Sequence, residues 1–242
     1  MKIALCLHGY FDSFSDPTSK GEDGFEHLDK HVLSKVDTDV FIHSWDMPNK
    51  SKIEELYRDY IVSSVFEDQI DFTDVVERNN LNSLPRNPQY VPPETIFSHM
   101  YSLQKSFEFE QLEKGNYDIV IKSRFDVGRI NRRTTKPGSG QEPVQCINFD
   151  PSLLMNKFYM ASWKYLDSEG PADMWFYSSK ENMMNFRNIY TIIKDDMVAG
   201  SEFNAWAGSY GNGMLNTIKA YKWFLIKTGL WQKKALLKTT WE

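Results

Sequence analysis

The run Tyr117-Asp118-Ile119-Val120-Ile121-Lys122-Ser123-Arg124-Phe125-Asp126 constrains this chain more than any other segment. Its apolar centre does not alternate with polar residues, the pattern of a strand covered on both faces rather than one. The clearest helical pattern leads directly into it. Pro92-Pro93-Glu94-Thr95 opens that helix, Ile96, Met100, Leu103, Phe107 and Leu112 recur near helical period, and Gly115 is the expected stop. Two earlier strands are expected. Lys2–Leu7 leaves the sheet at His8-Gly9-Tyr10, and Asp39–His43 ends at Ser44-Trp45-Asp46. Between and after them the pattern predicts a polar loop from Asp12 to about Gly24 and a helix carrying Phe25, Leu28, Val32 and Val36. A helix from Lys52 to about Ser63, a short strand at Val65-Phe66 and an irregular stretch over 71–90 follow. Strand and helix alternating at this spacing imply an α/β, Rossmann-like fold. Its mostly parallel sheet would be built by right-handed crossovers over roughly the first 130 residues.

The second half is less regular. A polar loop is expected over 131–145, strands over 157–163 and 174–177, and helices over 180–193 and 214–227. At 242 residues, with 41% apolar and 25% charged residues, the chain reads as one globular domain with a full core. No apolar stretch approaches the roughly 18 residues that span a bilayer. The N-terminal apolar run turns polar at His8, short of a secretory signal, and Cys6 and Cys146 form no disulfide framework, so a cytoplasmic location is expected.

Charge is unevenly distributed. Residues 203–242 hold six lysines and one acid, Glu242, for +5, while the first 202 hold 22 basic and 32 acidic residues, for −10. An acidic body argues against general nucleic-acid binding, which needs a basic face. In the tail, Ile218, Tyr221 and Leu225, extended by Trp231, form a stripe with Lys219, Lys222 and Lys227 beside or opposite it. Two readings stay open: an interfacial helix making peripheral contact with an anionic membrane, or a final helix packed on the body.

Three residue groups invite a chemical reading. His8-Gly9 after a strand, with Ala207-Gly208-Ser209-Tyr210-Gly211 far downstream, loosely suggests an α/β-hydrolase. In that fold the catalytic His follows the nucleophile, whereas every histidine here precedes Ser209. His27 and His31 stand one helical turn apart, but no third metal ligand is evident. The strongest signal is Arg124-Phe125-Asp126 at the carboxyl end of the expected central strand, where open α/β sheets bind ligands. Residues two apart share a strand face, so the guanidinium and carboxylate could address one ligand or form a strand-end salt bridge.

Taken in order, Ile3–Tyr10, Asp39–Trp45, Tyr117–Asp126 and Asp173–Ser179 resemble the GT-A-type glycosyltransferases of surface-polysaccharide synthesis, including WavE-like lipopolysaccharide synthesis proteins and viral relatives. The similarity covers about residues 1–190. It implies a GT-A-like domain with a nucleotide-binding half (1–130) and an acceptor-side half with C-terminal helices (131–242). Such a domain moves a sugar from a nucleotide-diphosphate sugar to a glycan or lipid-linked acceptor. His8, Gly9, Tyr10, Ser44, Trp45, Asp46, Lys122 and Arg124 would then meet the nucleotide sugar. Asp126 would hold Mn²⁺ or Mg²⁺, with Arg124 standing where the family's first Asp would be. Asp173 would be the base, with Glu202 a weaker candidate. A binding module that keeps the fold without the chemistry is the alternative.

Overall fold

The computed structural model of the chain describes residues 1–12, 21–84, 91–128, 146–162, 167, 170–209 and 215–238. The non-alternating segment forms β4 (Ile119–Arg124), and it lies inside a seven-stranded sheet. Its companions are β1 (Lys2–Gly9), β2 (Asp37–Ser44), β3 (Ile61–Phe66), β5 (Phe158–Ala161), β6 (Trp175–Ser179) and β7 (Lys234–Leu237), in the order β3-β2-β1-β4-β6-β5-β7. β1 pairs in parallel with both β2 and β4, β2 with β3, and β5 with β7. β6 runs antiparallel to both β4 and β5. The fold is therefore α/β with a mixed, mostly parallel sheet.

Alternate residues of each strand feed opposite layers. Ala4, Cys6, Phe41, Val120 and Phe176 face α4 (Pro93–Ser106), α7 (Ile189–Asp196) and α9 (Thr217–Lys227). Ile3, Leu5, Leu7, Val40, Ile119 and Ile121 face α1 (Gly21–Leu28) and α2 (Lys50–Leu56). Gly24, expected to close a loop, lies within α1 instead. A Cβ there would run into the carbonyl oxygen of Phe125, so the glycine lets α1 lie against the end of β4.

Several boundaries differ from the sequence expectation. The helix expected over 52–63 stops at Leu56, and β-branched and aromatic Ile61, Val62, Val65 and Phe66 extend the third strand. The stretch over 71–90 contains α3 (Thr73–Arg78), started by Asp71, whose Oδ1 accepts from the Thr73 amide and hydroxyl. Asn79 ties α3 to α7 by donating to the carbonyls of Lys194 and Met197. The helix through Leu112 breaks after Ser106, because Phe107 turns into the core to stack on Phe186 at 5.5 Å, and α5 (Glu110–Lys114) restarts it. The helix over 180–193 divides into α6 (Lys180–Met183), a tighter turn over 184–188, and α7. Sequence reading missed α8 (Glu202–Ser209) and β7, and the loop expected over 131–145 lies outside the described residues.

Of the two readings of the basic tail, the structure follows the helix packed on the body. Tyr221, Phe224 and Leu225 of α9 are fully buried, Trp223 is nearly so, and even Lys219 and Lys222 are buried. Lys219 donates to the Ala207 carbonyl at 2.9 Å. The stripe proposed for a membrane surface faces the core instead. Among the described residues no helix is long and apolar enough to cross a membrane. Phe224→Ala should therefore lower the unfolding free energy by about 3–5 kcal/mol in urea denaturation. A loss under about 1 kcal/mol would show α9 to be peripheral.

Candidate functional site

The chain reverses its progress across the sheet at β1. From there β2 and β3 extend to one side, while β4 lies on the other. This is the switch point at which the carboxyl ends of neighbouring strands diverge and leave a crevice. A cleft of about 450 Å³ opens there, lined by His8, Gly9, Trp45, His99, Arg124 and Asp173 among others.

Arg124 organises the cleft. Its Nε and Nη2 donate to the two oxygens of Asp126, each at 2.8 Å, and its Nη1 donates to Asp173 Oδ2 at 3.2 Å. The pairing is bidentate on one carboxylate and single on the other, so one guanidinium serves two acids. Strand register brings them together. Ser123 pairs with Trp175 across β4 and β6, and the Arg124 amide donates to the Met174 carbonyl at 3.1 Å, which places Asp173 beside Arg124. Burial opposes ionisation of Asp173, yet Arg124, His99 and Lys122 together hold its pKa down at about 2. A carboxylate held that low is a weak proton acceptor while Arg124 grips it.

Lys122 lies behind this pair, not in the cleft. It is fully buried, its ammonium donates to the Asp173 carbonyl oxygen, and it stands 5.0 Å from the ring centroids of both Phe176 and Tyr221. Burial, countered by Asp173 and reinforced by Arg124, lowers its pKa to about 7.

The β1 side of the cleft is built from backbone turns. Gly9 adopts φ +93°, which an L side chain rarely tolerates, and both its peptide groups are held. Its amide donates to Ser102 Oγ at 2.9 Å, and its carbonyl accepts from Ser44 Oγ at 2.7 Å. Ser102 Oγ lies 2.8 Å from His43 Nδ1, and His43 Nε2 lies 2.9 Å from Glu67 Oε1. This has the composition of a hydrolase relay. Ser102, however, is fully buried and its oxygen accepts the Gly9 amide, so the chain is a strut for the turn and not a nucleophile.

Most expected site residues converge here. His8, Gly9, Tyr10, Trp45, Arg124, Asp126 and Asp173 all line the cleft. Ser44, Asp46 and Lys122 instead support it from behind. Asp46 accepts from the Phe11 amide at 3.2 Å and from Asn49 Nδ2, fixing the chain where it leaves β1. Glu202 is exposed in the first turn of α8 and does not reach the cleft. His27 accepts from the Ile147 amide at 2.9 Å, a structural role.

Sequence reading missed the α4 wall. Thr95, Ser98 and His99 line the cleft, and with Ser102 and Ser106 they form a polar stripe at helical spacing on a largely buried helix. That stripe was visible in the sequence, because polar residues at core-facing phase need partners. His99 Nε2 lies 2.8 Å from the Tyr221 hydroxyl and 3.9 Å from Asp173 Oδ2. Burial dominates its titration and lowers its pKa to about 3, despite Asp173.

Among the described residues no group of three His, Cys, Asp or Glu side chains forms an all-protein metal cage. Asp12, Asp126 and Asp173 do line one cleft. One or two such carboxylates, with ligand phosphates completing the shell, are the usual donor set for Mg²⁺, and each carboxylate oxygen bound to Arg124 keeps a second lone pair.

No protein-family model matches the chain, and no curated protein is significantly similar to it.

The buried lysine makes a pH test. Below about pH 7 Lys122 is protonated whether folded or unfolded, and its contribution is constant. Between about pH 7 and 10 the unfolded chain binds the proton that the folded chain lacks, so stability rises with pH. Wild type should gain stability over Lys122→Met across that window, with a slope of up to about 1.4 kcal/mol per pH unit. Parallel stability curves for the two proteins would contradict the assignment.

Proposed function

We propose that the chain is a glycosyltransferase acting on a nucleotide-diphosphate sugar, with GT-A-like organisation of its α/β sheet. One observation carries this reading: the convergence of Arg124, Asp126 and Asp173 at the sheet's switch point, beside the Gly9 turn. The resemblance of the strand-end segments to surface-polysaccharide glycosyltransferases supports it. Asp126 would hold Mg²⁺ or Mn²⁺ that enters with the diphosphate. The cation supplies positive charge against the departing group.

In the transfer, an acceptor hydroxyl oxygen forms a bond to the anomeric carbon as the bond from that carbon to the diphosphate oxygen breaks. The nucleoside diphosphate leaves with the bonding pair, and the hydroxyl proton passes to a base. Arg124 links these events. When its guanidinium turns toward the phosphates it releases Asp173, and burial then raises the basicity of that carboxylate. Asp173 is thus a base that the bound donor switches on. Preorganised charge and positioning account for most of the rate, as they commonly do in group transfer.

A second reading, a glycan- or nucleotide-binding module without chemistry, draws on the same pairing. Both acids already have a cationic partner in Arg124. Slow donor hydrolysis without acceptor distinguishes the two, because a binder shows none.

UDP, GDP, TDP, ADP or CDP, with Mn²⁺ or Mg²⁺, should raise the melting temperature, and saturation at 100 times Kd adds about 2.7 kcal/mol. Arg124→Lys should weaken that binding by about tenfold, because an ammonium cannot reproduce the fork. The absence of a shift with every diphosphate, with and without metal, would remove the transferase reading.

A further inference from the structure

Two buried polar side chains in the cleft have no hydrogen-bond partner among the described residues. Neither ring nitrogen of His8, 1% exposed, is bonded, nor is the indole Nε1 of Trp45, 4% exposed. Both line the same cleft. Buried polar atoms are nearly always satisfied, because a missing partner leaves their loss of water uncompensated. Two such residues at one opening therefore mark atoms that a bound molecule completes.

The fold explains their juxtaposition. His8 pairs with His43 across β1 and β2, and Trp45 follows His43 by two residues, so all three project from the sheet face that α4 covers. Strand spacing and rise place the His8 and Trp45 backbones roughly 8 Å apart. Trp45 is held in place, stacked on Tyr101 of α4 with centroids 5.5 Å apart, and the His8 ring meets His99 edge-on at 4.8 Å.

Resting on the nucleotide-sugar reading, we propose that the floor of the cleft is a hydroxyl-reading subsite, in which His8 and the Trp45 indole N–H hydrogen-bond a sugar ring of the ligand rather than its phosphates. Burial first, then the nearby cations Lys122 and Arg124, keep the His8 imidazole uncharged. A neutral imidazole offers one donor and one acceptor, which a hydroxyl matches with its own acceptor and donor. An ionised phosphate only accepts and would leave one His8 nitrogen unmet. Asp12, Asp126 and Asp173 on the same walls also disfavour an unaccompanied anion at this floor. The sugar is either the ribose of the nucleotide or the residue to be transferred, and both present the same hydroxyl chemistry.

Isothermal titration separates them. The probes are UDP, GDP, ADP and CDP, their 2′,3′-dideoxy forms, UDP-glucose and GDP-mannose, with Mn²⁺ present throughout. The proteins are wild type, His8→Phe and Trp45→Phe, with His8→Gln used if His8→Phe fails to fold. At His8, Phe keeps an aromatic ring in the packing and removes the polar atoms, so His8→Phe should melt at or above the wild-type temperature while binding less tightly; Trp45→Phe also trades the indole for a smaller ring and is read from its binding alone. Each should raise Kd about 3- to 10-fold, the value of one neutral hydrogen bond. A loss for the ribose diphosphates but not for the dideoxy forms assigns the subsite to ribose. A loss seen only with the nucleotide sugars assigns it to the transferred sugar. Unchanged affinities for all probes would overturn the proposal and leave the orphan atoms to internal water. Equal losses on the dideoxy diphosphates would also overturn it, because the contacts would then be to phosphate or base. If wild type binds none of the probes, the nucleotide-sugar reading itself fails and this subsite falls with it.

Discussion

The guanidinium of Arg124 is the interaction on which the cleft depends. It stands at the carboxyl end of β4, is tied by two bonds to Asp126 and by one to Asp173, and has the buried ammonium of Lys122 behind it. An ion cluster of this kind is weak evidence for stability, since desolvation offsets much of the attraction. Breaking it is another matter: a buried charge left without its partner costs about 3–5 kcal/mol. The cluster thus fixes one arrangement of three side chains from two strands. It also keeps Asp173 ionised in a place where burial alone would favour the neutral acid.

Helix α4 joins that cluster to the β1 turn. Its Ser102 meets the Gly9 amide and His43, and its His99 meets Tyr221 of α9 and approaches Asp173. Tyr221 in turn lies against Lys122. His99 and Ser102 thus couple the two ends of the site through one helix, and His8 and Trp45 lie between those ends.

The strands were legible because their signal is local. Apolar runs such as Ile3–Leu7 and Ile119–Ile121 are long enough to identify without tertiary knowledge, and strand ends at Gly9, Ser44 and Arg124 follow from where polar residues begin. Arg124 and Asp126 could be paired from spacing alone. The rest depends on partners distant in sequence. That Lys122, on the same face of β4 as Arg124, is covered and kept out of the cleft follows from the position of α9, 95 or more residues later. That β6 runs antiparallel, and so delivers Asp173 to Arg124, lies in no local pattern. The choice between the two readings of α9 stayed open in the sequence for the same reason, since Lys219 and Lys222 are buried by elements that periodicity cannot see.

The antiparallel seam between β4 and β6 has one more consequence. Arg124 and Asp173 are 49 residues apart, yet their meeting is set by five backbone pairs along the seam, from Ile119 with Ser179 to Ser123 with Trp175. The length of chain joining the two strands does not enter that geometry, and loop closure grows only slowly more unfavourable with added residues. The contact between Arg124 and Asp173 is therefore fixed by the seam and not by the length of chain between the strands, whereas Asp126 comes from the connecting chain itself, two residues beyond the guanidinium.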